Sequence, residues 1–546
     1  MEVGRRGRLL TGEPVFTPGV PLVLDPKGAG EAGDGDLAVV RTGRGRARVE
    51  AVLGAASDVE NVLEGLLVER GARQPYESFE RRSISAETRV DLRDLLTYTV
   101  DPETAKDFDD ALSFRREADG IRAWVHIADV SWFVGAGTPL DRGAAGRGFS
   151  TYVPGTVAPM LPHELADDLC SLRPHQDRLC VTVEMPPPGS TGAQPLFYRS
   201  TIRSDARLTY GQAERREAPP EVVEALALND ELASELRRAR FARGALEVSS
   251  PEVSFRFDGR GGVAEAMLEG EPHAHMLVEE LMIRANEHVA GLLASRRREA
   301  LYRVHERPDP QAISLLLAKL DDLGVPTPPA PEQPSPQEAA RLAGAISVRV
   351  SEYVRQAKRG REAFPALVLR ALKQARYDPL NLGHAGLASP AYCHFTSPIR
   401  RYPDLVVHRA LLRELGATDE PLPEDLPALA EHVSAREREA AQLEYLADEI
   451  CLAWLLERRL FELGWDEPWE GEIVGAIGSG IFVRFGEVFE GFLPARRLHG
   501  EFFELNPLGT ALVGRTTGRR FRLGDGIRVR VESIARFEGK VDLSLA

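Results

Sequence analysis

Apolar residues return at helical intervals between His275 and Arg298. Leu277, Val278, Leu281, Ala285, Val289, Leu292 and Leu293 line one face, and three arginines close the segment where a helix C-terminus favours positive charge. Ser434–Leu463 reads as a second long helix, charged at first and apolar later. The first 56 residues follow a shorter period. Arg8-Leu-Leu, Pro21-Leu-Val-Leu, Asp36-Leu-Ala-Val-Val and Ala47-Arg-Val-Glu-Ala-Val read as strands among many glycines, and Val59–Gly71 as a helix ending in glycine. The pattern fits a small β-barrel or a winged-helix-like unit and does not choose between them.

From about 85 to 465 strands and helices alternate without a break. The proline-rich Pro326–Pro336 reads as a stiff, solvated insertion loop within this region. After about 469 short strands recur between glycine turns: Trp469–Val474, Gly480–Phe485, Glu490–Pro494, Arg519–Asp525, Ile527–Glu532 and Val541–Leu545. So many strands in so short a tail suit an OB-fold barrel. The expected architecture is α+β and multidomain. Residues 1–80 form a small nucleic-acid-binding-like module, 81–465 a large mixed α/β catalytic domain, and 466–546 a C-terminal OB-fold β-barrel.

Composition removes some classes. The chain of 546 residues is 43% hydrophobic and 28% charged, which excludes global disorder. No apolar stretch reaches the roughly 18 residues of a membrane span, and the first residues lack the apolar run of a signal peptide. A cytoplasmic protein with no membrane partner is expected. Cys170, Cys180, Cys393 and Cys451 form no C-x-x-C pair, so they read as buried thiols rather than a zinc site or disulfide framework. The net charge of −15 argues against a protein coated with basic residues for duplex binding. A local basic channel is compatible with it.

Candidate chemistry concentrates in Asp101-Pro-Glu-Thr-Ala-Lys-Asp107-Phe-Asp109-Asp110, behind the strand-like Leu95–Val100. Carboxylates this close repel, and their pKa values rise unless a cation neutralises them. Oxygen-only ligands suit Mg²⁺ or Mn²⁺, and a carboxylate-held metal pair is a recurrent device for attacking phosphodiesters. A calcium loop is excluded, because Lys106 and Leu112 stand where Gly and Glu are required. A solvated acidic loop fits poorly with Phe108, Ala111 and Leu112 alongside. Arg400 and Arg401, in Phe395-Thr-Ser-Pro-Ile-Arg-Arg-Tyr-Pro-Asp404, offer guanidinium forks suited to phosphate, or are simply surface arginines of a turn. Tyr152, beside a proline turn, is either a base-stacking aromatic or a core residue. In the tail, Phe482 and Phe485 stand near Arg515, Arg519, Arg520, Arg522, Arg528 and Arg530, a combination suited to single-stranded nucleic acid. The two phenylalanines are three apart, so a bulge or bend is required to bring both to one surface. Arg41, Arg44, Arg46 and Arg48 fall in a glycine-rich strand and turn that also reads as a solvated hairpin.

On these residues the chain resembles the ribonuclease II/ribonuclease R family of 3′→5′ exoribonucleases. The matching stretches are Thr99–Leu112, Val125–Ser131, Tyr152–Pro154 with Met160–Pro162, Leu169–Leu172, Glu279–Glu280, Tyr302–Glu306 and Thr396–Tyr402, in the family's order. The tail resembles the family's OB domain of the ribosomal-protein type. The resemblance implies an RNB-type catalytic domain in which Asp101, Asp107, Asp109 and Asp110 are catalytic and hold two Mg²⁺ ions, with Mn²⁺ as a substitute. It implies Arg400 as the catalytic arginine, Tyr152 as the clamp on the 3′-terminal base, and Tyr210, Glu279, Glu280, Phe482 and Phe485 as further RNA contacts. The implied activity is processive 3′→5′ hydrolysis of single-stranded RNA with a free 3′ end to nucleoside 5′-monophosphates, by a monomer. The alternatives are a catalytically silent RNA-binding protein on the same fold and a nuclease or phosphatase acting on DNA or nucleotides. Departures are visible. Leu443 and Glu444 both fall near the register of the family's downstream glutamate, no aromatic stands around Leu246–Val248, and Pro494 replaces a common histidine. The N-terminal region is too short for the family's tandem cold-shock domains.

Overall fold

The structure, a computed structural model, describes residues 1–546 apart from 8, 26–31, 43–46, 83–88, 191, 248–251, 271–272 and 499. The strand beginning at Arg8, the arginines 44 and 46, and Val248 therefore fall partly or wholly outside the described residues.

The N-terminal module contains β1 (Glu2–Arg6), β2 (Leu9–Glu13), β3 (Leu22–Val23), β4 (Asp36–Arg41) and β5 (Arg48–Ala55), in sheet order β3-β2-β1-β4-β5. A parallel bridge between Leu24 and Ala47 joins the two ends of this series, so the order is cyclic and the module is a barrel, not a winged helix. Its glycines and bulges shorten the strands and hide that order from sequence periodicity. Helix α1 (Val59–Glu69) follows, its N-terminus capped by the Asp58 carboxylate, which accepts from the Glu60 N–H.

The central sheet is built from β6 (Val90–Asp91), β7 (Tyr98–Asp101), β8 (Asp110–Glu117), β9 (Gly120–Ala128), β12 (Asp177–Met185), β13 (Leu196–Arg203) and β14 (Ala206–Thr209); β10 (Thr151–Val153) and β11 (Thr156–Ala158) form a separate hairpin. The sheet order is β14-β7-β8-β9-β12-β13-β6, with β14 parallel to β7 and β6 parallel to β13. Strand β9 is buried almost without alternation because both faces are covered. Within this apolar layer, Thr97, Ser113, His126, Thr182 and Ser200 form a hydrogen-bonded chain across the strands, with steps of 2.6–3.1 Å. Each polar group is thereby satisfied where water is absent.

Helix α2 (Tyr210–Arg215) leads on to α3 (Pro220–Ala242) and α4 (His273–Ser295). The apolar face of α4 is the one its sequence pattern predicts: Leu277, Leu281, Ala285, Val289 and Leu293 are buried. The proline-rich loop ends in a capping box, in which Ser335 and Glu338 bond reciprocally at the start of the helix Pro336–Ala357. Helix α5 (Tyr402–Glu414) is followed by α6 (Leu426–Leu463), 38 residues long, which starts eight residues before the expected Ser434. At 1.5 Å per residue it is about 57 Å long. Its later half shares one core with α1 and the C-terminal barrel, through Leu456 and Leu460, Leu63 and Leu66, and Phe485 and Leu493.

The C-terminal barrel is closed, in the strand order Trp469–Ile477, Gly480–Phe485, Phe489–Pro494, Lys540–Leu545, Gly526–Ala535. This is the same cyclic order as in the N-terminal barrel. All four cysteines are buried and unpaired. Among the described residues no helix is long and apolar enough to cross a membrane.

Candidate functional site

Four of the expected site residues reach one place because two neighbouring strands end there. Strand β7 finishes at Asp101 and β8 begins at Asp110, and the intervening loop carries Asp107 and Asp109. The parallel partner β14 pairs Thr209 with Asp101, so Tyr210 emerges alongside as the first residue of α2. Its ring lies 5.0 Å from that of His275.

The aspartates divide into distinct environments. Asp109 is 3% exposed; its two oxygens accept from the Ile399 N–H at 2.8 Å and from Arg400 Nε at 3.3 Å. Burial pushes its carboxyl up, against the pull of Arg400. Asp107 accepts from the Tyr152 hydroxyl at 2.6 Å. Burial and then the charge of Asp110 push Asp101 up to about 7, and burial pushes Asp110 up to about 6 against Arg400 and Arg401. Asp101 Oδ2 is buried with no hydrogen-bond partner.

These observations set the fit of a cation. Among the described residues, no three His, Cys, Asp or Glu side chains are arranged to hold a metal ion, so the four-carboxylate cage expected from the run is not assembled ready-made. Asp107 and Asp109 are engaged by Tyr152 and the arginine segment. Asp101 and Asp110 remain, a mutually repelling oxygen pair with an orphaned buried atom. Their chemistry fits a hard divalent ion.

The arginine segment is rigidly held. Phe395 N–H donates to Asn286 Oδ1 at 2.9 Å, His408 Nε2 pairs with the Phe395 carbonyl at 2.8 Å, and Ser397 N–H donates to Asp404 Oδ1 at 2.8 Å. Asp404 also accepts two bonds from Arg401, at 3.0 and 2.8 Å. Arg400 donates to Ser397 Oγ at 3.2 Å, and its side chain keeps 46% exposure. One arginine of the pair is thus locked into the protein and the other is presented. The Ser150 N–H donates to the Arg400 carbonyl at 2.9 Å, tying this segment to the base of the β10–β11 hairpin.

Tyr152 is 37% exposed, and its backbone N–H donates to Glu444 Oε1 at 2.7 Å. Burial and Asp107 raise its hydroxyl, so it remains a donor. The two candidates for a downstream glutamate separate here: Leu443 belongs to a core, and Glu444 faces the site. The helical period of α6 carried that signal.

Other expected contacts lie elsewhere. Glu280 is 2% exposed and gripped by Arg240, at 2.5 Å to Nη2 and 3.2 Å to Nε, so its carboxylate is spent on a buried ion pair and out of RNA's reach. Glu279 stays on the surface, 3.9 Å from the same arginine. Phe485 is 1% exposed in the barrel core beside Trp469 and Phe489, and cannot stack on a ligand. Phe482 occupies the opposite face, half-buried against Phe492 at 5.1 Å. Their own strand has no bulge to turn both outward; the irregularity lies in the partner strand, between Ile473 and Gly475. The tail arginines are largely engaged: Arg515 with Glu504, Arg522 with Asp525 at 3.0 Å, Arg528 with Glu470 at 3.0 Å, and Arg530 with the Asp466 carbonyl at 3.1 Å. Arg41 pairs with Glu50 at 2.6 Å. Sequence reading missed Asn286 as an anchor of the arginine segment, since 109 residues separate it from Phe395. The Arg401–Asp404 pair was legible as an i,i+3 couple at a helix start.

Residues 89–416 match the family described as the RNB domain. Ribonuclease R of Escherichia coli (strain K12) is 37% identical over 483 residues, covering 84% of this chain and 57% of that protein. The chain thus spans little more than half the length of that curated relative. The solved structure of Mycoplasma genitalium RNase R in complex with ribose methylated single-stranded RNA superposes with a TM-score of 0.85 at 25% identity, over 98% of this chain and 89% of that one. Yeast Ssd1, described as a pseudonuclease, shares the fold with a TM-score of 0.66 at 18% identity, over 94% of this chain and 66% of that one. On the extent of the domain match and the similarity to ribonuclease R, this chain belongs to the RNB-domain family.

Proposed function

We propose that the protein is a processive 3′→5′ exoribonuclease that hydrolyses single-stranded RNA to nucleoside 5′-monophosphates. The observation that carries this reading is the abutment of the Asp101–Asp110 pair, with its orphaned oxygen, on an exposed Arg400 fixed by Asp109. Asp101 and Asp110 would hold a divalent cation, Mg²⁺ or Mn²⁺; a second ion would need Asp107 and Asp109 to exchange their contacts with Tyr152 and the arginine segment for it. Such ions supply Lewis-acid polarisation of phosphoryl oxygens and activation of water.

The side chains have separable tasks. Tyr152 stacks the 3′-terminal base, and Asp107 and Glu444 hold its hydroxyl and backbone in place. Stacking of this kind is worth roughly 1–3 kcal/mol and tolerates any base. Arg400 receives the non-bridging oxygens of the last phosphodiester, where charge grows as a water oxygen bonds to phosphorus and the bond to the 3′-oxygen of the preceding nucleotide breaks. Tyr210 lies beside the same carboxylates as a further contact, with Glu279 and Phe482 farther out. A monomer acting in the cytoplasm completes the reading.

The silent-binder alternative has a precedent for the fold in yeast Ssd1. The presence of all four aspartates and Arg400 favours catalysis here. The test uses 3′-labelled single-stranded RNA and matched DNA, each with Mg²⁺ or EDTA. Early release of label as mononucleotide, from RNA and only with Mg²⁺, is expected. RNA that stays bound and intact would establish the silent binder, and equal cleavage of DNA would overturn the substrate class.

A further inference from the structure

The hairpin that carries Tyr152 is a two-stranded sheet on its own. Its outward backbone groups therefore need partners from outside. Tyr152 stands opposite Val157, and the two outer edges of this pair are met by different parts of the molecule. On one edge the Tyr152 N–H donates to Glu444. On the other, the Val157 carbonyl accepts from Arg73 Nη1 at 2.7 Å, and Thr156 Oγ1 accepts from Arg73 Nη2 at 2.9 Å.

The same guanidinium is held from behind. Arg73 Nε and Nη2 donate to the carboxylate of Glu64 at 2.9 and 2.8 Å, and Glu64 belongs to α1, the helix that follows the N-terminal barrel. The chain after Arg73 continues along the hairpin: the Tyr76 hydroxyl donates to the Pro159 carbonyl at 2.8 Å, and Arg147 lies 4.6 Å over the Tyr76 ring while bonding Glu77 at 3.0 Å. A planar fork is required at Arg73, because one group must face a carboxylate and a strand edge at once.

We propose that Arg73 is a positioning residue for Tyr152. Through Glu64 and Arg73 the N-terminal module fixes the outer strand of the clamp hairpin, and so sets how the terminal base is gripped and the fragment length at which degradation stops. This rests on the assignment of Tyr152 to the terminal base.

The test compares wild type, Arg73→Gln, Arg73→Lys, Glu64→Gln and Tyr152→Ala, each checked for folding by circular dichroism. With EDTA present, RNA bearing a 3′-terminal 2-aminopurine is saturated with protein, and the fluorescence quenching reports stacking independently of affinity and cleavage. Wild type should quench and Tyr152→Ala should not. Arg73→Gln should lose much of the quenching, Glu64→Gln less, and Arg73→Lys should recover part of it. With Mg²⁺, Arg73→Gln should raise KM for short oligonucleotides about ten-fold, as expected for lost charge-assisted hydrogen bonds. It should leave kcat on long RNA unchanged and lengthen the final fragment. A fall in melting temperature with quenching, KM and fragment length unaltered would reduce Arg73 to a structural residue and overturn the proposal. Wild type that quenches without cleaving would sink the nuclease reading alone. Wild type that does not quench would contradict Tyr152 and Arg73 together.

Discussion

Arg400 and Arg401 are neighbours with opposite fates. Arg401 is pinned to Asp404, which is fully buried, while Arg400 points into the open site and touches Asp109. Arg400→Lys keeps the charge and loses the planar fork. Steady-state kinetics should show turnover reduced on the order of 10²–10³, the scale for losing one preorganised donor, with RNA affinity little changed. Asp404→Asn should act differently. It leaves Arg401 without its buried partner and should cost about 3 kcal/mol in denaturant unfolding, since breaking a buried pair is strongly destabilising. At this scale the sequence was informative wherever the chemistry is contiguous, as in Asp101–Asp110 and Ile399–Asp404. It was silent about Glu280, whose fate depends on Arg240, 40 positions away. Arg73 was equally silent, because its partners on the hairpin lie more than 80 residues downstream.

At the scale of elements, the two barrels show what patterns can and cannot convey. The C-terminal strands were readable because alternation is strong there and glycines mark the turns. Among the described residues, closure of the N-terminal series rests on the bridge between Leu24 and Ala47, which no local pattern encodes. Period-two alternation also separates Phe482 from Phe485, and this gives a paired prediction. Phe485→Ala should cost about 3–5 kcal/mol of barrel stability in chemical denaturation. Phe482→Ala should cost little stability and weaken RNA binding by roughly 1–3 kcal/mol, measured by fluorescence anisotropy. The reverse pattern would mean that the barrel presents its other face. Helix α6 joins these elements: its length lets Glu444 support Tyr152 while its later half packs on α1 and the C-terminal barrel.

At the scale of the molecule, buried titratable groups set the response to acid. Burial lowers His126, His288 and His384 to about 3 and His408 to about 4. An unfolded chain takes up these protons below about 6.5. At these histidines the unfolded state therefore binds more protons between about 6.5 and 3, and their contribution to stability falls as pH falls. Asp101, Asp448 and Glu449, pushed up to about 7, and Asp110, pushed up to about 6, all chiefly by burial, act in the opposite sense and offset it. The histidine contribution is therefore read as a difference: between pH 6.5 and 4.5 the wild-type urea midpoint should fall relative to that of a His126→Asn variant. The whole chain also separates two duties. On the proposed reading, grip on RNA is spread over the Tyr152 hairpin, Tyr210 and the C-terminal barrel, whereas bond breaking is confined to the carboxylates and Arg400. Asp110→Asn tests that division most directly, with turnover of labelled single-stranded RNA at saturating Mg²⁺ and RNA affinity measured on the same preparation. The account predicts turnover lower by on the order of 10² or more with affinity nearly unchanged. Near-normal turnover in this variant would contradict it.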